Sequence, residues 1–514
     1  MLSQQIKWIL ENINAHQKDE TSVDNRGDLI SVNNLTGKAG VFYEKLRYLV
    51  DYKEEHTIRR SAIERVLKRK LIIEGDKKIG LSLLQELVGG GYIINKKIPE
   101  GVARDIQSII NKYLILGSDK VGYSQLANIM ASEIERFLYP QYINDLVTES
   151  FYKTILDHIK YTGTVSNSEL RMQTYIACRR SLLEDDHDTL IYAVLVKYIP
   201  ELPTLNNKDH IADLTTSFAT VLSSIEEKLK NPLGWKMSLK FKNHSVYFSV
   251  IREIVKKYGV LSEMIFTDPV RLEEEIKEFL NEKYQQQYHS INKSSNRAIA
   301  YIFLTKIILA LVLELPYEKF FLFSVDYLAL GTNIIFHPLL FLIMVKNIKL
   351  PSSNNTNLVI SGVRSVIQNE KIEPIRIKSQ VNNTFFLSIF NLFYLVLFGV
   401  SFGLIIWILN LLHFNVVSII LFLFFLTLIS YLGFRIRHNA KKWNISIEDD
   451  NIFSLLFDFF TIPIMTTGSW LSRRFSSINI FVFTMDFILE TPFKLILGTF
   501  DSFISFLKEK KDDL

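Results

Sequence analysis

One cysteine, Cys178, stands in 514 residues, which excludes an intramolecular disulfide and any multi-cysteine metal site. Glycine (21) and proline (12) are scarce for this length, a composition that favours long helices. Neither sign of charge dominates: 59 basic residues against 54 acidic give +5, too mild for a general nucleic-acid binder, so no nucleic-acid partner is expected. No βαβ rhythm runs along the chain, against a Rossmann-type domain, and no period of repeat length marks a solenoid. HExxH, GxSxG and paired-histidine patterns are missing, so enzymatic activity has no positive support and no cofactor is expected. Gly37-Lys38-Ala39-Gly40 and Gly89-Gly90-Gly91-Tyr92 both lack the lysine–hydroxyl pair of a phosphate loop and read as turns. The opening residues lack a basic region followed by an apolar one, so no signal peptide is expected.

What the chain has is a division near residue 295. Hydrophobic residues make up 48% and charged residues 22%, with a mean hydropathy of +0.15. Before the polar stretch Asn292–Arg297, read as a short linker, charge is evenly spread. After it, apolar runs dominate. Phe385–Asn410 carries no charge and exceeds the roughly 20 residues a spanning helix needs. Val416–Phe434 follows after a five-residue gap, so the pair predicts a transmembrane hairpin over 385–434. A second hairpin is expected over 298–345. Ala298–Leu313 is apolar except for Lys306, and Tyr327–Val345 contains Thr332, Asn333, His337 and Pro338; a hairpin lying partly in the interface is the alternative.

Basic residues orient these spans. The connection 346–384 carries Lys346, Lys349, Arg364, Lys371, Arg376 and Lys378, and Arg435, Arg437, Lys441 and Lys442 follow the last span. The turn 411–415 has none, and 314–326 sets only Lys319 against Glu314, Glu318 and Asp326. The expected topology puts both termini in the cytoplasm, with two short outside turns. Within 346–384, Pro351–Asn357 reads as a flexible loop, and Leu358–Ile360 with Ile372–Val381 as a small β-hairpin.

The fold class expected is therefore an all-α integral membrane protein: a cytosolic helical domain over 1–297, two transmembrane hairpins, and amphipathic helices along the cytosolic leaflet over 435–514. Leu2, Ile6, Ile9, Leu10 and Ile13 mark an amphipathic helix that packs on its own domain or meets lipid. The tail is apolar yet broken by Asp458, Pro463 and Asp486; Trp470, Arg473 and Arg474 suit an aromatic ring and basic heads at lipid phosphates. Ile452–Leu471 is a possible fifth span that Asp458 and the Arg473-Arg474 pair argue against.

Four groups of residues carry candidate chemistry. Arg59, Arg60, Arg65, Lys68 and Arg69, with Lys70, form a basic helix face that either binds anionic headgroups, at about 1 kcal/mol per charge, or is simply solvated. Asp185-Asp186-His187-Asp188 reads as the cap of the helix Thr189–Tyr198 rather than a metal site. Cys178, beside Arg179 and Arg180, is expected in a helix core. Lys306 lies about 12 Å from either end of its span, where a charge costs at least about 2.5–3.5 kcal/mol. Glu314, Asp326 and His337 are its partners at hand.

The segments YEKLRYLVDYKEEHTIRRSAIERVLKR (43–69) and TPFKLILGTFDSFISFLKEKKDDL (491–514) resemble multi-pass membrane proteins of small-genome, candidate-phyla (Patescibacteria-type) bacteria, a group without an assigned activity. That likeness implies a bacterial inner-membrane setting and carries over no functional residue. Three functions remain open. The first is a membrane-anchored scaffold or envelope-organising protein, contacting lipids and a protein partner or a second copy through its helical domain. The second is an oligomeric transporter or channel lined by Lys306, Asp326, His337 and Asn391. The third is an inner-leaflet lipid-acting enzyme near Asp458 and Arg473.

Overall fold

The computed structural model describes residues 2–19, 29–30, 55–74, 78–117, 120–205, 208–346, 348, 351–370, 373–378, 384–446 and 452–477. The Gly37–Gly40 turn and the helices expected after 477 lie outside these residues. The chain divides into two compact units. Among the described residues, the first comprises those up to Glu273 together with Ser361–Ser379, and the second Glu274–Ile360 with Gln380 onward.

The first unit is helical. Its helices are α1 (Gln4–Asp19), α2 (Glu55–Lys68), α3 (Gly80–Gly89), α4 (Val102–Gly117), α5 (Tyr123–Leu138) and α6 (Tyr142–His158). They are followed by α7 (Asn167–Leu182), α8 (His187–Tyr198), α9 (Lys208–Lys230), α10 (Pro232–Tyr258) and the short α11 (Ser262–Thr267). The breaks between helices fall where the local chemistry ends one. Gly91 takes φ 74° after α3, and Asn231 caps α10 through its side chain with Pro232 in the first turn. Asp186 caps α8 by accepting the Thr189 N–H, so the acid–histidine run is a helix start. Ile6, Ile9, Leu10 and Ile13 of α1 are buried, and Tyr142 of α6 donates its hydroxyl to the Asn12 carbonyl. That stripe packs on its own unit. Cys178 is fully buried, and burial pushes its thiol well above the ordinary value.

Two expectations about this half need correction. The domain expected to be helical over 1–297 is not helical throughout: Ile159–Thr162 forms a strand, β1. Its partner, β2 (Ile375–Lys378), comes from the connection between the two predicted hairpins and pairs in parallel, Ile159 opposite Ile375 and Thr162 opposite Lys378. The predicted local β-hairpin is therefore replaced by a long-range pair, because Ile375 and Ile377 alternate with Arg376 and Lys378 and bury their apolar face. The same segment is held elsewhere in the unit. Ser3 N donates to Ile367 O at 2.7 Å, Arg364 pairs with Glu273 at 2.7 Å, and Lys236 donates to the Lys378 carbonyl at 3.0 Å.

The second unit begins within a helix. The stretch Asn292–Arg297 is not a linker: α12 runs unbroken over Pro269–Leu309, since polar residues without glycine or proline propagate a helix once its flanks are helical. Helical turns continue through the wide turns Ala310–Glu314 and Glu318–Leu322, so the short connection covers only 323–326, not 314–326. Pro316 lies between these wide turns. Then come α13 (Tyr327–Lys346), α14 (Ser353–Gln368), α15 (Thr384–Leu411), α16 (Val416–Ala440) and α17 (Ile452–Ser477). The expected loop Pro351–Asn357 is helical from Ser353. Among the described residues, four helical stretches are long and apolar enough to cross a membrane: Pro269–Leu322, Tyr327–Lys346, Ser388–Leu411 and Val416–Ala440. Helix α17 packs on α16, where a Cβ at Gly468 would run into the Thr427 carbonyl oxygen. It also meets α15 through the Phe459 and Phe393 rings, 5.7 Å apart.

Candidate functional site

The distribution of side chains in the second unit is inverted relative to a water-soluble bundle. Leu304, Leu311, Leu328, Ile335, Leu395 and Trp407 are exposed, while Lys306, Glu314 and Glu318 are each only 2% exposed. Residues 306, 310, 314 and 318 recur every four positions and share one face of their helical stretch. Residues 329, 333 and 337 do the same on α13. Polar groups on the two faces meet. Lys306 Nζ donates to Asn333 Oδ1 at 2.7 Å, and Asn333 Nδ2 donates to Glu314 Oε1 at 2.5 Å. The ammonium also lies 4.3 Å from the centre of the Phe425 ring. Asn333 thus bridges a cation and an anion, using the two ends of its amide.

One turn beyond Glu314, Glu318 Oε1 accepts from Asn415 Nδ2 at 2.6 Å and Oε2 from the Asp326 backbone N–H at 3.2 Å. Asp326, a predicted partner of Lys306, instead caps α13: its carboxylate accepts the N–H groups of Leu328 and Ala329. Asn415 similarly caps α16 by accepting the Ser418 N–H. At the other end of the cluster, His337 is fully buried among Phe336, Phe422 and Phe425. Its ring nitrogens face two carbonyl oxygens, Asn333 O at 3.1 Å and Phe422 O at 3.0 Å. A neutral imidazole has one N–H and serves one of them; a protonated ring serves both. Beyond His337 lies an apolar cluster that includes Ile302, Phe341, Val345, Phe425 and Ile429.

Of the three intramembrane candidates, Lys306 and His337 join this cluster and Asp326 stands at its rim. Asn333, Glu314, Glu318 and Asn415 complete it. The two glutamates belong to a stretch read as a solvated turn; their four-residue spacing after Lys306 was the signal that the helix continues.

The basic face of α2 is turned to carboxylates of its own unit. Arg59 pairs with Glu135 at 2.9 Å and covers the Tyr139 ring. Arg60 reaches Asp186 at 2.6 Å, Glu64 at 2.9 Å and Asp188 at 3.3 Å. Burial alone would lower its pKa, but Asp186, Asp188 and Glu64 outweigh this and hold it above the ordinary value. Arg65 meets the Tyr92 hydroxyl, Lys68 pairs with Glu64, and Arg69 with Glu86. Arg179 pairs with Asp185 at 2.5 Å and Asp145 at 3.1 Å. Burial would raise the Asp145 pKa, yet Arg136 and Arg179 hold it below the usual carboxylate range. These contacts give the charges of α2 a structural role within the fold. In α17, Trp470, Arg473 and Arg474 are exposed, and Asp458 is described by its backbone alone. Among the described residues, no group of three His, Cys, Asp or Glu side chains is arranged to hold a metal ion.

No protein-family model, curated protein or solved structure matches the chain.

Proposed function

We propose that the chain is a multi-pass membrane protein of the bacterial inner membrane, a scaffold or envelope-organising protein whose first unit is a cytoplasmic platform. The observation that carries this reading is the membership of Ser361–Ser379 in the first unit. That segment follows two candidate spans, yet it shares a parallel strand pair with residues that precede both and an ion pair with Glu273, in the first turns of the long helix that carries the first. An out-and-back hairpin returns the chain to the side it left, so the first unit and the connection occupy one face. The basic residues at 346–384 and 435–442 make that face cytoplasmic. Exposed apolar side chains on the spans supply the lipid contact, and α17, with exposed Trp470, Arg473 and Arg474, extends it to the headgroups. Native mass measurement of the full chain in detergent tests the assignment. A scaffold is expected as a symmetric oligomer or with a stoichiometric protein partner; a monomer carrying neither contradicts it.

A second reading, transport through an oligomer, draws support from the buried cluster around Lys306. Ionisable groups within spans mark ion or proton pathways by default, because their burial is expensive. Flux across liposomes containing the purified chain tests it.

A further inference from the structure

The charges of α2 are answered within the fold, but a second basic surface of the first unit is not. It is built from the start of α10 and the outward face of the strand pair. On α10, Trp235 and Leu239 lie one turn apart and are 60% and 67% exposed, with exposed Lys236 and Lys240 beside them. The inward face of the same helix buries Met237 and Phe241. On the strands, Ile375 and Ile377 are buried, so Arg376 and Lys378 face outward, and the register sets exposed Lys160 opposite Arg376. Lys236 Nζ donates to the Lys378 carbonyl at 3.0 Å, which joins the helix to the end of β2. Arg180 of α7 adds a guanidinium 4.7 Å from the centre of the Trp235 ring. Among the described residues, none of Lys160, Arg180, Lys236, Lys240, Arg376 and Lys378 is ion-paired. The exposed carboxylates of Asp157 and Glu373 precede the two strands, at the end away from Lys378.

An exposed indole and leucine surrounded by unpaired bases match the interface of a bilayer that contains acidic lipid. There the apolar pair enters the headgroup layer and the bases meet phosphates. Chain length alone keeps this surface within reach of such a layer. Lys378 stands six residues before Thr384, where α15 begins, and six extended residues span at most about 22 Å. The end of β2, and Lys236 bonded to it, are therefore tethered to the start of a candidate span. We propose that this face of the first unit docks on the cytoplasmic leaflet by binding anionic phospholipid headgroups. Trp235 and Leu239 insert, and Lys236, Lys240, Lys160, Arg376 and Lys378 hold the phosphates. The inference rests on the cytoplasmic position of the first unit proposed above and gives that platform a lipid partner of its own.

The test uses the full chain in lipid nanodiscs with an environment-sensitive maleimide fluorophore on Leu239→Cys; the native Cys178 is fully buried and stays unlabelled. Discs of phosphatidylcholine are compared with discs in which a third of the lipid is phosphatidylglycerol. The probe is expected to shift to the blue only in the acidic discs and to return when salt is raised tenfold. Lys240→Gln and Arg376→Gln, at exposed side chains without an ion pair, each lower the ratio of docked to free probe about fivefold. The same fluorophore on Thr216→Cys, exposed on α9, does not respond. An indifferent probe in discs that hold the folded chain overturns the docking face and leaves the membrane reading intact. So does a shift that survives Lys240→Gln and Arg376→Gln together. A blue shift already present in detergent and growing with protein concentration assigns the face to a second copy and overturns lipid docking. A chain that stays out of the discs overturns the membrane reading, and the docking face with it.

Discussion

Asn355 lies at the centre of a buried polar knot. Its amide donates to the Tyr284 hydroxyl at 2.8 Å and the Trp443 carbonyl at 2.9 Å, and its carbonyl accepts from the backbone of Ile445 and Ser446. Asn355→Ala strands several of these groups and is expected to lower stability by about 2–4 kcal/mol, measured as the thermal midpoint in detergent. Exposed Asn354→Ala, its neighbour, should leave the midpoint unchanged. In sequence the two asparagines are indistinguishable, both inside a stretch that reads as a loop. Only the distant Tyr284 and Trp443 separate them, and no local pattern reports such partners. Cys178 and the Asp186 cap were legible because their roles are local: one needs a helix interior, the other an N–H three residues ahead.

His244 gives the first unit a pH dependence. Burial, assisted by nearby His158, lowers its pKa from 6.5 to about 4, and its Nδ1 is buried without a hydrogen-bond partner. The unfolded chain takes up a proton near pH 6.5 and the folded chain only near 4. Stability therefore falls as pH drops through that window, by about 1.4 kcal/mol per pH unit and about 3 kcal/mol in all. Replacing His244 with Gln should flatten the slope between pH 6.5 and 4. An unchanged slope would assign the acid response to other groups.

At the scale of elements, Gly468 sets the approach of α17 to α16. A methyl group there would meet the Thr427 carbonyl carbon at 2.7 Å and Tyr431 Cβ at 2.8 Å, atoms that cannot turn aside. Gly403 in α15 has nothing within 4 Å of the same construction. Gly468→Ala is therefore expected to cost about 1–3 kcal/mol, and Gly403→Ala to leave the thermal midpoint near wild type or above it. Equal effects would contradict the packing of α17. Long periodic helices were the most legible elements: the uncharged run 385–410 and the stripe of α1 needed only composition and spacing. Elements settled by distant partners were not. Ile375–Lys378 became a strand because β1 offers an edge, and the polar run 292–297 stayed helical because both its flanks are. The second cluster was half visible, through Lys306 and His337. Glu314 was already a candidate partner of Lys306, whereas Glu318 is hidden in sequence because charge ordinarily marks the end of a span.

For the whole molecule, the composition is ordinary and its arrangement is not. Charge is paired inside the first unit and gathered into one buried cluster in the second, while apolar side chains face outward there. The account stands on this arrangement being a membrane fold with the first unit and the connection 346–384 on the cytoplasmic side. Cysteine accessibility measures that directly, because the native Cys178 is fully buried. Single cysteines at the exposed positions Asn243, Ser324, Gln368 and His413 are treated, in intact spheroplasts, with a membrane-impermeant maleimide. Ser324→Cys and His413→Cys should label from outside, and Asn243→Cys and Gln368→Cys only after permeabilisation. Labelling of Gln368→Cys from outside while Asn243→Cys stays protected, or labelling of all four in a fraction released without detergent, would contradict the account.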